Sequence, residues 1–471
     1  RSDRRLFWTL ACDRTFNKND RTVFRLSMPD IAIPEGVEEK LWRQMRRPWL
    51  NLFQANADEN DVETPMMLAN NVLSTPAVCC TFFYSDPMLF NPYPLPGINL
   101  PLLVRRTLDD WFNNRVMQHG NVAAFAKSDT YLFTNPAFIC AAWDYVKMTD
   151  DREWIEKNIH NINHIAAFIL RRDQDGDGLT ESIHSGNAWS LRDPDRSDFY
   201  LESINFGHKN AITNAFAYRA YYCMADLLKI AGKTQLSMVY LNAAKRMKDV
   251  YFKTFYNPQT GVLAGWISQD GQLHDYIFPF VNGLACAYGL VPEKQGREIL
   301  GIIMTLLKKI KPEGWPWGIP VNLIPVPDYD LMQPNLWGGG VTETGRYKLN
   351  IAYDGIGLPR LVDPDGSLSF KGRVLYNGAT QSALTTFMIM GLDRFGMTEE
   401  SNWILNPLMI SAVKGALQNG LHVTAGRGAE HHDWNGNPTG YEGYLPESWY
   451  FLLAILLRNK NNRRKLLFFV K

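Results

Sequence analysis

Carboxylates and tryptophans gather in long segments rich in glycine and proline, above all residues 172–206, 311–377 and 421–445. Carboxylates transfer protons and accept hydrogen bonds from hydroxyl groups, whereas tryptophan and tyrosine faces stack on sugar rings. The combination predicts a carbohydrate ligand. Any single tryptophan is also consistent with simple packing of a loop, so the prediction rests on the clustering. The candidate contact residues are Trp189, Glu202, Trp315, Trp317, Trp337, His431 and Trp434.

Two acidic loops that lie far apart in the sequence suggest bond cleavage. Hydrolysis of a glycosidic bond needs one carboxyl group that protonates the leaving oxygen and another that activates water or attacks directly. One loop, around residues 172–206, and another, around residues 421–445, could supply one carboxyl each if the fold brings them together. His431 and His432 are not expected to share a metal ion, because neighbours on an extended segment point to opposite sides.

The segment DQDGDGLTE has the spacing of a calcium loop. Asp173, Asp175, Asp177 and Glu181 take positions 1, 3, 5 and 9 of an EF-hand-like loop, but position 12, which needs a bidentate glutamate, is His184. Two interpretations stay open. The four acids form a structural calcium site, or the segment is a tight acidic turn at a helix-to-loop corner that introduces the active-site loop. No other cofactor is expected.

The composition excludes several classes of function. The chain has 49 Lys and Arg against 48 Asp and Glu, so nucleic acid is not expected as a partner. Six scattered cysteines without a CxxC pair argue against zinc and redox chemistry and favour buried thiols. No apolar run reaches the roughly 20 residues of a membrane span, so no membrane partner is expected. The basic tail RNKNNRRK is expected to be solvated.

Helical periodicity dominates after a β-like N-terminal segment, residues 1–34. Short turns such as AGKT and FGMT alternate with the long loops, which predicts helical hairpins whose elaborate loops collect at one end. This pattern predicts an all-α fold, an (α/α)6 toroid, with a generic helical bundle as the alternative. The predicted helices are 36–54, 64–79, 100–118, 134–148, 152–171, 207–231, 234–254, 277–289, 293–310, 378–395, 399–418 and 446–459.

Several motifs resemble the six-hairpin glycosidase superfamily, which includes trehalase, mannosyl-oligosaccharide glucosidase, glucoamylase and the α-L-rhamnosidases. These are KSDTYLFTNPAFICAAWDYVKMTDDREWIEKN, DQDGDGL, SGNAW, NAITNAF, FVNGLACAYGL, NGATQSALTTFMIMGLDRFGM and GAEHHDWNGNPTGYEGYLPESWYFLL. The likeness covers roughly residues 35–460. It implies a toroidal catalytic domain over 35–460, with 1–34 as a β-like segment or linker and 461–471 as a basic tail.

The resemblance also implies catalytic residues. In the trehalase and glucosidase branches an aspartate general acid follows a Ser-Gly-Trp-Asp-like motif, and a glutamate base opens a Glu-x-Tyr-Asn-Pro-x-Thr-Gly-like segment. Here SGNAWSLRD displaces the first acid from the tryptophan, which makes Asp193 the candidate acid, with Asp195 and Glu202 behind it. EHHDWNGNPTG makes Glu430 the candidate base, and Glu442 of GYEGYL is the next candidate.

The leading hypothesis is a glycoside hydrolase that degrades an oligo- or polysaccharide with inversion. The alternatives are a sugar-binding toroid without catalysis, a toroid lyase, or a phosphorylase that uses Arg192, Arg196 and His208 to hold phosphate. A terpene cyclase is disfavoured because the loop acids stand among Gly, Asn and Trp. The N-terminus lacks a Met and an apolar signal core, so a periplasmic or secreted protein with its signal removed is one interpretation. The sequence predicts neither the sugar nor the oligomeric state.

Overall fold

The computed structural model describes residues 39–40, 55–58, 61–70, 75–76, 87–90, 99–123, 131–187, 204–324, 326, 330, 378–414, 428–432, 434–436, 438–440, 447 and 450–470. The chain divides into two units, residues 1–30 and 31–471. All described residues belong to the second unit. The predicted β-like segment 1–34 lies outside the described residues.

Helices make up most of the described chain. They are α1 Leu100–Asn114, α2 Thr134–Thr149, α3 Arg152–Arg171, α4 Ala211–Ile230, α5 Thr234–Phe255, α6 Pro279–Ala287, α7 Glu293–Ile310, α8 Ser382–Arg394, α9 Thr398–Val413, α10 Phe451–Leu457 and α11 Lys460–Leu466. Two kinds alternate along the chain. α3 is amphipathic and buries one face, whereas α4 is buried nearly all round because its sequence is apolar on every side. Helices of the first kind form an outer layer, and those of the second form an inner layer.

The inner helices α2, α4, α6, α8 and α10 pack side by side in chain order. An outer helix, α3, α5, α7 or α9, connects each inner helix to the next and packs against one or both of them. This is the hairpin succession of an (α/α)6 toroid. Most predicted helices are confirmed, with limits that shift by a few residues. Of the predicted helix 36–54, the structure describes only residues 39–40, which are helical.

α6 and α8 approach each other more closely than side chains would allow. A Cβ atom on Gly283 would lie 2.5 Å from the Cα atom of Met388 and 2.5 Å from the carbonyl oxygen of Phe387. Gly391 faces the same contact, since its Cβ would lie 2.7 Å from the Gly283 carbonyl oxygen. Glycine at both positions therefore brings the two backbones together.

We expect Gly283→Ala to lower the free energy of unfolding by about 3 kcal/mol, because a methyl group there meets backbone atoms of α8. Gly301→Ala on α7 is the matched control, since a Cβ there meets nothing within 4 Å among the described residues. The control should raise the free energy of unfolding by about 0.5–1 kcal/mol, as Ala is the better helix former. Urea denaturation of both variants measures the difference. Equal effects would contradict the close contact.

The prediction of a helix over 64–79 is wrong for the residues that the structure describes. β1 Ala55–Asp58, β2 Asp61–Asn70 and β3 Thr75–Pro76 form a three-stranded antiparallel sheet in that order. The sequence DEND between β1 and β2 favours a tight turn, and Pro65 within the segment disfavours a helix. The segment therefore forms β-strands, although its apolar residues suggest the period of a helix.

Small strands occur in the loops that join the helices. Their limits are β4 Lys209–Asn210, β5 Tyr256–Asn257, β6 Val262–Leu263, β7 Trp266–Ile267, β8 Leu273–His274, β9 Ile319–Pro320, β10 Thr380–Gln381, β11 Gly428–His432 and β12 Pro438–Gly440. They form the sheet β4-β7-β8, the pair β5-β6 and the sheet β12-β11-β10-β9. A 3-10 helix spans Pro87–Phe90.

The C-terminal segment combines a basic stretch, RNKNNRRK, of which Lys460, Arg464 and Lys465 are exposed, with an apolar end that packs. After α11, Phe468 stacks on Trp143 of α2 with ring centroids 4.7 Å apart. Phe469 is 6% exposed and contacts Tyr288, which follows α6. The aromatic residues of LLFF explain this, because they bury apolar surface beneath the inner helices while the basic side chains face outward. The tail therefore covers the short-turn end of the hairpins.

The described cysteines agree with the prediction of buried thiols. Cys140, Cys223 and Cys286 are buried on inner helices. Burial raises the pKa of the Cys286 thiol to about 12. Among the described residues, no helix is long and apolar enough to cross a membrane.

Candidate active site

Five long segments enter the inner helices at the same end of the hairpins. The segments 115–133, 172–210, 256–278, 311–381 and 414–450 each lead into the N-terminus of an inner helix. The opposite end carries only short turns such as 231–233 and 395–397. We call the loop-bearing end the mouth. Both acidic loops that the sequence analysis selected belong to it.

Asparagine side chains near the start of the inner helices hold these loops. Asn214 of α4 accepts a hydrogen bond from the Thr180 amide at 2.7 Å and donates to the Thr180 carbonyl at 3.0 Å. Asn282 of α6 accepts from the Leu263 amide at 2.8 Å and donates to the Leu263 carbonyl at 3.1 Å. Each side-chain amide thus forms hydrogen bonds with both the backbone N–H and the backbone C=O of one loop residue, as a neighbouring β-strand would.

The same device recurs in two further hairpins. Asn135 of α2 accepts from the Val122 amide at 2.9 Å and donates to the Gly120 carbonyl at 2.8 Å. In α8 the Thr385 hydroxyl accepts from the Ile319 amide at 2.9 Å. The sequence carries a trace of this repeat in TNPAF, TNAFA and VNGLA, which sequence reasoning missed. The loops of the mouth are therefore fixed to the helical scaffold at corresponding points.

Backbone strain accumulates where the loops enter the inner helices. Tyr131, His208 and Ile277 have φ values of 60°, 47° and 50° and lie just before α2, α4 and α6. A left-handed conformation is unusual for residues other than glycine, most of all for β-branched Ile277. A fourth such residue, Asp150, ends α2 at the opposite side. Strained residues often mark functional sites, and three of these four border the mouth.

The acidic segment 173–181 surrounds a lysine. The Lys209 ammonium donates to Asp177 at 2.6 Å and also to Asp175, and it lies 3.6 Å from Glu181. Burial pulls the pKa of Lys209 down, but hydrogen bonds to Asp175 and Asp177 outweigh burial and raise it. Burial and the Asp175 charge raise the pKa of Glu181. Lys209 is 7% exposed, so its charge is held inside the acidic segment.

This geometry favours the acidic-turn interpretation over the calcium interpretation. Asp173, Asp175 and Asp177 offer oxygens within 4.8 Å of one another, as a cation site requires. However, Lys209 already supplies a positive charge to two of them, and the third accepts a hydrogen bond from the Gly178 amide at 3.1 Å. Calcium at this segment stays a prediction. The lysine could not be inferred from the motif because it lies on β4, beyond the loop.

We expect EDTA or millimolar calcium to leave the melting temperature of the wild type unchanged, because the Lys209 ammonium already lies between Asp175 and Asp177, where the ion would bind. Lys209→Met should lower the free energy of unfolding by about 2 kcal/mol, since it leaves neighbouring carboxylates without their cation. Calcium should restore part of this loss in Lys209→Met only. Thermal unfolding with and without calcium measures both effects. A wild type that calcium stabilises would instead support the calcium interpretation.

The tryptophans of the later loops pack on one another. Trp315 meets Trp434 edge to face at 5.3 Å, and Trp317 stacks on His432 at 6.2 Å. The Lys311 ammonium lies 5.4 Å from the Trp315 ring and 5.2 Å from the Trp317 ring, where cations are attracted to aromatic faces. Trp317 and Trp434 stay partly exposed, whereas Trp315 is 1% exposed.

Burial assigns different roles to these predicted contact residues. Trp317 and Trp434 keep accessible surface that a sugar could cover. Trp315 and His431 are buried, so protein atoms cover the surfaces that were expected to face the ligand. Burial, together with His432, lowers the pKa of His431 to about 3, so this imidazole is neutral. We therefore assign Trp315 and His431 to support of the loop rather than to contact with a ligand.

Glu430 lies on β11, in the sheet that joins the last two long loops. β11 pairs antiparallel with β10 through Thr380 and His432, and β10 runs directly into α8. The Thr380 hydroxyl also donates to the His432 carbonyl at 3.2 Å. The backbone of the candidate base is therefore attached to the N-terminus of an inner helix. The side chain of Glu430 lies outside the described residues.

A second carboxyl group, that of Glu447, is buried at the N-terminus of α8. Glu447 is not among the candidate residues of the sequence analysis. Its Oε2 atom accepts from the Ser382 hydroxyl at 2.9 Å and from the Ala383 amide at 3.0 Å. No described residue donates to its buried Oε1 atom. Burial raises the pKa of Glu447 to about 8 despite these hydrogen bonds, so the carboxyl is protonated at neutral pH. The signal was an acid just before the apolar run WYFLLAILL.

A cavity of about 350 Å³ opens between two loops at the mouth. His119 and Asn121 line it from the loop before α2, and Arg172 and His184 line it from the side of the acidic loop. Its volume falls at the lower end of the range for small-molecule sites. The mixed polar and apolar lining suits a ligand that carries both hydroxyl groups and an apolar face.

Comparison with known proteins decides the type of domain. Residues 107–308 match the family described as the bacterial alpha-L-rhamnosidase 6 hairpin glycosidase domain. This stretch of the chain is similar to a six-hairpin glycosidase domain. The matched residues run from α1 to α7 and include the acidic segment, the loop that follows it and the repeated asparagines of α2, α4 and α6. No curated protein sequence matches the chain.

Solved structures of glycosidases share the fold of this chain. The GH63 mannosylglycerate hydrolase from Thermus thermophilus, solved with Tris and D-glycerate, has 11% identity and a TM-score of 0.54 over 88% of this chain and 99% of that one. The alpha-L-rhamnosidase from Dictyoglumus thermophilum has 11% identity and a TM-score of 0.52 over 90% of this chain and 37% of that one. The rhamnosidase from Klebsiella oxytoca with rhamnose bound has 13% identity and a TM-score of 0.51 over 92% and 66%.

These comparisons confirm the predicted (α/α)6 toroid, and the matched family supports the predicted class of glycoside hydrolase. At such low identity the structural likeness extends to the fold alone, and the glycosidase class comes from the matched family. The chain spans little more than a third of the Dictyoglumus enzyme and two thirds of the Klebsiella enzyme. Substrate and mechanism are therefore matters for proposal.

Several predicted site residues of the glycosidase domain lie outside the described residues, so their roles stay predictions. Asp193 and Asp195 belong to the loop 188–203, which leaves and rejoins the described structure at the mouth. The others are Trp189, Arg192, Arg196, Glu202, Trp337, Asp433 and Glu442. The segments that carry the two candidate carboxylates both attach to the N-terminus of an inner helix, one to α4 and the other to α8.

Proposed function

We propose that the chain hydrolyses an O-glycosidic bond of an oligo- or polysaccharide, with Asp193 as general acid and Glu430 as general base. The loop 188–203 attaches to the mouth just before α4, and β11, which carries Glu430, attaches just before α8. Both helices pack on α6. This common attachment at one end of the toroid is the observation that carries the proposal.

Partly exposed aromatic rings and a cavity support a sugar substrate. Trp317 and Trp434 offer faces for sugar rings on the side of the candidate base. The cavity of about 350 Å³ borders His184, which precedes the loop of the candidate acid in the sequence. A sugar chain that crosses the mouth between these places would present its bonds to both loops.

The proposed mechanism inverts the anomeric centre. The acid protonates the leaving oxygen while the base removes a proton from water that attacks the opposite face. Room for this water requires the two carboxyl groups to lie roughly 6.5–9.5 Å apart, whereas retention requires about 5–5.5 Å. As the acid, Asp193 must hold a proton at the working pH, which requires a pKa above that of a solvated carboxyl group.

A phosphorylase is less well supported. Such an enzyme needs cationic groups that hold phosphate beside the acid. Burial, followed by the charge of Lys209, lowers the pKa of His208, so this candidate phosphate ligand is neutral at pH 7. Hydrolysis should therefore proceed at the same rate with and without phosphate.

A substrate panel tests the proposal. The wild type is incubated with aryl glycosides that include α-L-rhamnosides, with mannosylglycerate and with plant and bacterial oligosaccharides, and released sugar is measured. Release from at least one substrate, independent of phosphate, is expected. Binding of sugars without release from any substrate would contradict catalysis and support the sugar-binding alternative.

A further inference from the structure

The loop that carries Asp193 leaves and rejoins the toroid at one narrow place, which we call the neck, residues 184–187 and 205–208. The Asn205 side-chain amide donates to the Asn187 carbonyl and thereby joins the two ends of the loop. Gly186 and Gly207 touch, since a Cβ on Gly207 would lie 2.5 Å from the Gly186 amide nitrogen. The direction in which the loop emerges therefore depends on the neck.

Trp266 clamps one side of the neck. Its indole N–H donates to the Gly186 carbonyl at 2.9 Å, and a Cβ on Gly186 would lie 2.9 Å from its ring. The His274 ring stacks on Trp266 with centroids 4.5 Å apart and an interplanar angle of 4°. Both side chains are buried, at 0% and 2% exposure. The position of the indole therefore depends on His274.

Asp330 holds both His274 and the other side of the neck. Its Oδ2 atom lies 2.6 Å from His274 Nδ1, and it also accepts from the Tyr276 hydroxyl. Its backbone carbonyl accepts a hydrogen bond from the backbone N–H of Asn205 at 2.9 Å. Asp330 is fully buried. Asp330 thus contacts residue 205 of the neck directly and is linked to residue 186 through His274 and Trp266.

This network joins loops of the mouth to one another. Trp266 and His274 lie on β7 and β8, the neck precedes α4, and Asp330 belongs to the segment between β9 and β10. His274 Nε2 also contacts the Ser268 hydroxyl at 2.9 Å, which extends the network along the same hairpin. Its loss is expected to loosen the mouth while the packing of the inner helices remains.

We propose that Asp330 is a positioning residue whose carboxylate acts through His274 and Trp266 to orient the loop carrying the general acid. This inference rests on the proposed function for its effect on catalysis. Asp330 itself is buried and does not reach the substrate. Its substitution should therefore weaken proton donation while leaving water activation by the other loop intact.

The kinetic test compares leaving groups in wild type and Asp330→Asn. On a phenyl glycoside, whose departure needs a proton, kcat should fall about a hundredfold, because general acid catalysis contributes about 10²–10⁴-fold. On the 2,4-dinitrophenyl glycoside, whose leaving group departs without a proton, kcat should fall less than about threefold. KM should stay within about threefold for both. Asn205→Ala, which removes only the side-chain link across the neck, should show the same selectivity with a smaller loss.

Asp393→Asn is the matched control. Asp393 forms a partly buried ion pair with Arg458 at 3.1 Å, at the end of the toroid opposite the mouth. This variant should be destabilised without any dependence of activity on the leaving group. Equal losses on both substrates in Asp330→Asn, or no loss on either, would overturn the inference.

Hydrogen–deuterium exchange tests the positioning role of Asp330 without a measurement of activity. Peptides that cover residues 184–208 should exchange at least tenfold faster in Asp330→Asn than in wild type, while peptides from α4 and α6 exchange at the same rate. Unchanged exchange at 184–208 would overturn the inference even if the enzyme is active. Faster exchange with a wild type that cleaves no glycoside would keep the positioning role and reject the proposed function instead.

Discussion

Asp193→Asn and Glu430→Gln are each expected to lower kcat by at least a hundredfold on glycosides with poor leaving groups. Proton transfer by a positioned carboxyl contributes about 10²–10⁴-fold, and each variant removes one such group. The two losses should differ in kind. Asp193→Asn should recover activity on dinitrophenyl glycosides, whereas Glu430→Gln should lose activity on every leaving group because water must still be activated.

Steady-state kinetics and circular dichroism measure these effects, and Glu399→Gln on the outer helix α9 serves as the control. Glu399 is exposed and far in sequence from both loops, so kcat should not change. If Asp193→Asn stays near wild type, the acid role passes to Asp195 or Glu202. If Glu430→Gln stays near wild type, the base role passes to Glu442. Either result would contradict the proposed pair.

Glu447→Gln is expected to remove a large pH dependence of stability. Burial raises the pKa of Glu447 to about 8, whereas the unfolded chain releases this proton near pH 4.5. The folded state therefore holds a proton that the unfolded state lacks between these pH values. The stabilisation is complete below pH 4.5, decreases as the pH rises toward 8 and is lost above it.

The size of this effect is on the order of 3–5 kcal/mol between pH 4.5 and pH 8.5. Glutamine keeps the shape of the protonated acid and an oxygen that can accept from Ser382 and Ala383, but it cannot ionise. The difference in unfolding free energy between wild type and Glu447→Gln should therefore change steeply with pH. Urea denaturation at half-unit pH steps measures it. Parallel curves for the two proteins would show that Glu447 does not hold a proton.

The helical scaffold was predictable because its signals are local and repeated. The apolar helices α2, α4, α6 and α8 are evident from sequences such as FICAAWDYV and ALTTFMIMGL, and short turns separate them from amphipathic partners. The strand β2 was missed because DVETPMMLANN mixes apolar residues without a clear period. Pro65 was the available signal against a helix.

The site was harder to predict because its interactions join residues that are distant in sequence. Lys209 enters the acidic segment from β4, and nothing in the motif DQDGDG indicates a lysine partner. Asp330 reaches His274 across 56 residues. Burial of Trp315 and His431 likewise depends on loops that pack together only in the fold. The anchoring asparagines were an exception, since the recurrent TN and VN pairs before small or apolar residues stand in the sequence.

The most direct test of the central claim is proton NMR of the products during hydrolysis of the best substrate by the wild type. Cleavage by two carboxyl groups across the mouth, separated widely enough for a water, predicts a free sugar whose first-formed anomer is opposite to that of the substrate. Mutarotation then produces the second anomer. Retention of configuration in the first-formed sugar, or the absence of any free sugar, would contradict the account.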